Sequence, residues 1–197
     1  MIVLVLPDIA AEDELLRRAH QGDQQAVMEM YERYFQPIYQ YIRLRTDDAA
    51  LAEDLAANVF LKLVTTFKRG AASNRIPPIR SLRGWLFQVA RSELHQHYGR
   101  NPRYATSTLE EWEPIAAADF DLESDYLRRT TAERARRALR MLAPDQQEVL
   151  ILRFGQALNL EDTAQVMGKS ISAIKSLQSR AVNTLRAILG DAGEGGV

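Results

Sequence analysis

The chain has 197 residues, of which 46% are hydrophobic and 26% charged, with a formal net charge of −1 and no cysteine. These proportions fit an ordinary globular protein with room for one or two domains. They exclude a disulfide framework and a thiolate metal site. The small net charge hides strong segregation. Residues 1–70 carry a net −3, residues 71–104 a net +5, residues 105–125 a net −7 and residues 126–197 a net +4. Two basic blocks therefore flank an acidic one. When basic blocks coincide with candidate binding helices, the pattern favours a nucleic-acid partner over a merely solvated face.

Residues 1–7, MIVLVLP, form too short an apolar run for a membrane span or a signal peptide, which predicts a disordered arm or a short edge segment and no membrane insertion. Four helices follow. The first covers residues 11–21, with Glu12, Asp13 and Glu14 in the first turn, where the helix dipole favours anions. Gly22 breaks it and Asp23 can cap the second, residues 24–45. The apolar stripe of that helix is Ala26, Val27, Met30, Tyr31, Tyr34, Ile38, Tyr41 and Ile42, and Pro37 should bend it. Asp47 or Asp48 caps a third helix, residues 49–67, whose core face reads Leu51, Leu55, Val59, Leu63 and Phe67. Residues 68–80 read as a loop rich in Gly, Ala, Ser, Asn and Pro, closed to helix at Pro77 and Pro78. Asn74 in that loop either offers a base edge a donor and an acceptor or serves turn geometry. Ser81 caps a fourth helix through His97. Its apolar side is Leu82, Trp85, Leu86, Val89 and Leu94, which leaves Arg83, Gln88, Arg91, His95 and Tyr98 for solvent or a ligand.

Residues 101–127 read as an acidic linker with Pro102 and Pro114. Trp112, Ile115 and Phe120 make it apolar enough to dock on something. A second domain, residues 128–190, then opens with a helix running to Met141. Pro144 starts the next, which continues to Gly155. The stretch from Asn159 onward reads as a helix-turn-helix. Asn159 caps its first helix with Asp162 in the place of a reciprocal capping partner, Ala164 is small where two helices approach, and Gly168 suits a left-handed turn. Ser170 caps the last helix. Its core face is Ile174, Leu177, Ala181, Leu185 and Ile188, and its opposite face Ser172, Lys175, Ser176, Ser179 and Arg180. Those short donors and cations suit phosphates and base edges; Arg180 is open to either use. A plain helical hairpin is the competing interpretation of the same stretch. The expected fold is thus all-α: two small helical domains of four helices each, residues 11–100 and 128–190, joined by the linker.

No catalytic constellation is legible. His20, His95 and His97 are the only histidines, and two residues two apart on a helix point to different faces, so no metal site and no cofactor is expected. The chain reads as a binding factor rather than an enzyme.

Five segments in order, GDQQAVMEMYERYFQPIYQYI, AEDLAANVFLKLV, RSLRGWLFQVAR, LAPDQQEVLILRF and the helix-turn-helix, resemble the extracytoplasmic-function (ECF) group of sigma-70 family transcription initiation factors. The resemblance implies a cytoplasmic promoter-specificity subunit that binds core RNA polymerase and promoter DNA and is held in check by an anti-sigma factor. By that resemblance the third helix is the polymerase-docking surface, through Asp54, Asn58, Leu61 and Lys62. Arg80, Arg83, Gln88 and Arg91 belong to the part that captures the −10 element. Lys169, Ser172, Lys175, Ser176, Ser179 and Arg180 belong to the −35 reader. The chain departs from the family pattern at Ala57 and Asn58, at Ser92 and Gln96, and at Leu177 and Ser179. The alternative is a stand-alone helix-turn-helix regulator, which would share only the last segment and would need a dimer; a helical adaptor that binds only protein is a third possibility.

Overall fold

A computed structural model of the chain describes residues 9–46, 48–73, 79–99, 134 and 137–194. The expectations for residues 1–8, Asp47, Asn74, Pro77 and Pro78, for the linker 101–127 and for the start of the second domain at Arg128 lie outside the described residues. The elements are α1 (Ile9–His20), α2 (Gln24–Arg43), α3 (Ala49–Ser73), α4 (Leu82–Tyr98), α5 (Pro144–Leu150) with a wider π turn Ile151–Gly155, α6 (Leu160–Met167) and α7 (Ile171–Glu194). Residues 137–140 are also helical, and no strand occurs among the described residues.

The helix boundaries follow local chemistry. Gly22, at φ +87°, ends the first helix, and the Asp23 carboxylate accepts from the N–H groups of Gln25 and Ala26 at the start of α2. Asp48 accepts from Ala50 N at 2.9 Å. Ser81 accepts from Gly84 N at 3.0 Å and opens α4. Asn159 accepts from Asp162 N at 2.7 Å and opens α6. Gly168 sits in the left-handed region (φ 63°, ψ 36°), with Gly168 N–H donating to Gln165 and Lys169 N–H to Ala164. That pair of bonds is a Schellman ending, the turn that re-aims the chain into α7.

Three local expectations need correcting. α3 does not stop at Phe67 but runs through Ser73. Gly70 costs a helix only about 1 kcal/mol, and the two alanines after it are the best helix formers, so their small size is no loop signal. The helix expected to run unbroken to Gly155 widens into a π turn after Leu150, and Ala157 follows at φ 51°. Asp162 does not cap reciprocally: its carboxylate accepts from Ser81 Oγ, 2.7 Å away in the first helical group.

The apolar stripes meet as expected along most of their length. Ala26, Met30, Tyr34, Ile38, Tyr41 and Ile42 of α2 are buried, as are Leu55, Val59, Leu63 and Phe67 of α3 and Ile174, Leu177 and Ala181 of α7. Tyr31, by contrast, is exposed on the flank of α2. The two helical groups also meet each other. α4 packs against α6, and the buried apolar residues form one cluster that runs from Leu15 to Ala181. Ile174 is fully buried in it. Ile174→Ala should therefore lower unfolding stability by about 2–5 kcal/mol in urea titration, whereas Ser172→Ala on the opposite face should stay within about 0.5 kcal/mol.

Candidate nucleic-acid interface

α7 turns its apolar residues inward and leaves Ser172, Lys175, Ser176, Ser179 and Arg180 exposed on one side. Ser170 holds the start of that helix by accepting from Ala173 N at 3.2 Å. Arg180 folds back on its own helix, Nε to Ser176 O at 3.4 Å. Lys169 is drawn aside by Asp145 in the first turn of α5, at 3.0 Å. Beside this face runs a groove of about 360 Å³ lined by Arg153, Lys175, Gln178, Ser179, Asn183 and Arg186. Arg153 comes from the π turn and is braced twice, donating to Leu158 O and, at 3.1 Å, to Gln178 Oε1. Arg186 shares the face of Ser179 at a seven-residue step, a spacing that sequence could have revealed. Arg153 reaches the groove from another element, for which periodicity gives no signal. Three guanidinium or ammonium groups beside hydroxyl and amide donors make a surface suited to a phosphate backbone and a base edge.

The cations of α4 are placed differently from expectation. Arg83 is not at the solvent face: it is buried, ion-paired with buried Glu12 of α1, and its other nitrogen donates to Gln156 O at 3.2 Å. A guanidinium taken out of water needs partners, and here both terminal nitrogens have one. Arg91 is half-buried, with Nε donating to Glu148 Oε1 at 3.2 Å. Gln88 is exposed, but its Oε1 accepts from Gln165 Nε2 at 2.9 Å. Arg80 and His95 remain exposed, and Tyr98 is half-buried. Partial desolvation by its neighbours and then the Arg91 charge hold the His95 imidazole below its ordinary pKa. Three residues of the helix face that sequence left for a ligand, Arg83, Gln88 and Arg91, thus make contacts with Gln156, α6 and α5. The miss has a physical source: periodicity finds the stripe that packs within a domain but is blind to polar contacts made between domains.

Glu148 of α5 is the centre of that junction. Its buried carboxylate accepts from Tyr41 Oη at 2.8 Å as well as from Arg91, and Arg45 lies 3.8 Å away. Arg45 in turn lies over the Tyr41 ring at 4.0 Å. Burial raises the pKa of Tyr41 well above the usual phenol, so it is a committed donor. At the second contact Asp162 accepts from Ser81; burial raises the Asp162 pKa more than that hydrogen bond lowers it.

On α3, Asp54, Asn58, Leu61 and Lys62 fall on one helical side and all are exposed, Leu61 at 63%. Lys62 pairs with buried Glu93 of α4. Tyr31 and Met28 of α2 are exposed as well, and the Tyr31 ring meets Phe35 at 5.0 Å and Phe60 at 5.1 Å. No group of three or more His, Asp or Glu suited to a metal ion occurs among the described residues.

Residues 138–187 match the family description "Sigma-70, region 4". The chain is 33% identical over 184 residues to the ECF RNA polymerase sigma factor BldN of Streptomyces coelicolor, covering 93% of this chain and 68% of that one. It belongs to the ECF RNA polymerase sigma factors. A second relative, the RNA polymerase sigma factor YlaC of Bacillus subtilis, is 32% identical over 157 residues, 79% of this chain and 87% of that protein. Among solved structures, CnrH in complex with the cytosolic domain of CnrY shares the fold at a TM-score of 0.61 and 19% identity, over 92% of this chain and 98% of that one. The sigma factor RpoE of Bartonella quintana, in complex with the anti-sigma factor NepR, shares it at 0.54 and 24% identity, over 83% and 96%. A stand-alone regulator would match in the last segment only, so similarity over 93% of the chain favours the sigma factor over that alternative. No helix among the described residues is long and apolar enough to cross a membrane.

The buried Arg83–Glu12 pair sets a packed cation apart from the exposed Lys175. Arg83→Ala should cost about 3–5 kcal/mol of unfolding stability by leaving Glu12 buried and unpaired, whereas Lys175→Ala should cost less than about 0.5 kcal/mol. Urea titration of the two variants checks both values.

Proposed function

We propose that this sigma factor divides its work by surface. The helices up to residue 100 dock on core RNA polymerase through the exposed side of α3, at Asp54, Asn58, Leu61 and Lys62, and engage the −10 element with α4. Residues 128–190 carry the −35 reader on α7, and residues 101–127 tether the two. The observation that carries this reading is the exposed cationic side of α7, displayed on a capped helix-turn-helix in a chain whose similarity to sigma factors spans both helical groups. The chemistry of RNA synthesis belongs to the polymerase, and this chain supplies recognition. The workplace is the cytoplasm, where core polymerase and promoters are found, and an anti-sigma protein that covers the polymerase-docking side is the expected antagonist.

In the −35 reader, Ser172, Lys175, Ser176 and Ser179 face base edges, and Arg180 either joins them or grips a phosphate. Arg153 and Arg186 extend the cationic track along the adjoining groove. Phosphate contacts position a protein on any duplex, and the short donors discriminate among base pairs.

The test begins with run-off transcription by core polymerase plus this chain on a random duplex pool, selecting the promoters it uses. Lys175→Ala with Arg180→Ala should weaken binding to a selected promoter and reduce the magnitude of its salt slope by roughly 1–2. A footprint and salt slope equal to wild type would remove α7 from the −35 contact. Asp54→Arg should reduce capture of core polymerase in a pull-down while leaving the helical circular dichroism intact. Undiminished capture would move the docking surface elsewhere.

A further inference from the structure

We propose that Gln178 is a positioning residue of the −35 reader. It fastens the Arg153 guanidinium to α7, so that a phosphate gripped by Arg153 sets the register at which α7 meets the base edges. The proposal rests on the reading of α7 as the −35 helix and gives a task to a residue which that reading leaves without one.

Gln178 stands out in the pattern of α7. It follows Ile174 by one turn and precedes Leu185 by two, at the margin of the apolar stripe, where a leucine would serve the core. It is half-buried, unlike the exposed Ser179 and Arg180 that follow it or the exposed Lys175 one turn before. A half-buried amide needs a partner, and Gln178 Oε1 accepts from Arg153 Nε at 3.1 Å. A guanidinium only donates, so this contact fixes which end of the amide faces Arg153.

Arg153 is fastened from a second side as well. It lies in the π turn Ile151–Gly155, a kind of turn found frequently at functional sites. The chain doubles back after it. Gln156 N–H donates to Ile151 O at 2.8 Å and Leu158 N–H to Leu152 O at 2.9 Å. Between them Ala157 takes φ 51°, a conformation that residues other than glycine adopt uncommonly. This fold-back brings the Leu158 carbonyl to Arg153 Nη1, which donates to it. One side chain thus joins the π turn, the lead into α6 and, through Gln178, α7 itself. Arg153 Nη2 has no protein partner among the described residues and is available to a ligand. The groove that Arg153 lines also holds Lys175 and Arg186 and no carboxylate, which suits a phosphate chain. Phosphate contacts fix orientation and register, whereas base contacts read sequence. A phosphate held by an untethered arginine leaves α7 free to slide. One held by an arginine tied to α7 does not. Lys175 and Ser179, both assigned to base edges, lie within one turn of Gln178, so the tie is made inside the reading segment.

The test uses the full chain with core polymerase on a promoter selected from the random pool, and reselects the bases of its −35 element with each variant. Gln178→Leu removes the acceptor while widening the apolar stripe, so the urea midpoint should hold or rise. The same variant should reduce the magnitude of the salt slope by roughly 1, the share of one phosphate contact. It should also cut the preference for the favoured base at one or more −35 positions by at least about threefold. Gln178→Glu keeps an acceptor at the same reach and should retain the wild-type base preference at lower affinity. In an Arg153→Ala chain, Gln178→Leu should change neither slope nor preference further. The proposal is overturned if Gln178→Leu leaves both as in wild type, or if its only effect is a lower urea midpoint. It is also overturned if Gln178→Glu loses the preference as the leucine variant does, or if the leucine effect persists undiminished without Arg153. Should Lys175→Ala with Arg180→Ala leave slope and footprint unchanged as well, the −35 reading of α7 falls too. A response to that pair but not to Gln178→Leu removes the role of Gln178 alone.

Discussion

A carboxylate removed from water has to be surrounded by donors, and the arrangement of this molecule turns on how Glu148 meets that demand. Among the described residues, the cations that meet it come from the other helical group. That first group provides a phenol hydroxyl and two guanidinium groups within 2.8–3.8 Å of its Oε1 atom. The two hydrogen bonds to that charge, from Tyr41 and Arg91, are worth about 1.5–3 kcal/mol each, and leaving such a carboxylate buried and unpaired costs several kcal/mol. The two helical groups are therefore joined at their polar centre as well as along their apolar seam. Tyr41 is central to both: its ring packs edge-on to Phe87 at 5.1 Å in the core, while its hydroxyl reaches across to Glu148.

Most of the fold is legible in the sequence because helices announce themselves locally. Asp23, Ser81, Asn159 and Gly168 are cap and turn residues whose chemistry acts within four residues, and each does so here. The stripe Ile174, Leu177 and Ala181 is buried because a three- and four-residue step makes a face whatever lies opposite. For the same reason the exposed side of α7 is readable from residue spacing alone: it is what remains once the core side is assigned. The docking role proposed for α3 comes only from family resemblance, since Asp54 and Lys62 look in isolation like any solvated pair.

The part that is not legible concerns partners far apart in sequence. Arg83 reads as a solvent-facing residue because it stands beside Leu82 and two residues before Trp85 in an amphipathic pattern. Its real neighbours, Glu12 and the carbonyl oxygen of Gln156, lie 71 and 73 residues away. Asp162 is similar: its place three residues after Asn159 suggests a local cap partner, yet its carboxylate meets a hydroxyl 81 residues away. Hydrophobic periodicity reports which side of a helix is dry. It does not report that a polar side can be dried by another domain carrying complementary groups.

The different placement of the cations on α4 and α7 follows from the same chemistry. α7 keeps Lys175 and Arg180 in water, where a charge costs nothing to maintain and stays available to phosphates. α4 has lent Arg83 and Arg91 to carboxylates, and of these two only Arg91 sits in an ion pair that spans the two groups. Arg83 and Glu12 belong to the same group, so separating the domains removes only the carbonyl of Gln156 from that guanidinium and leaves the ion pair whole. Arg91 loses its carboxylate partner in that event and becomes a free cation on an exposed helix. Of the α4 cations assigned to the −10 contact, Arg91 is thus the one whose availability depends on the arrangement of the domains, while Arg83 serves the integrity of the first group in either arrangement.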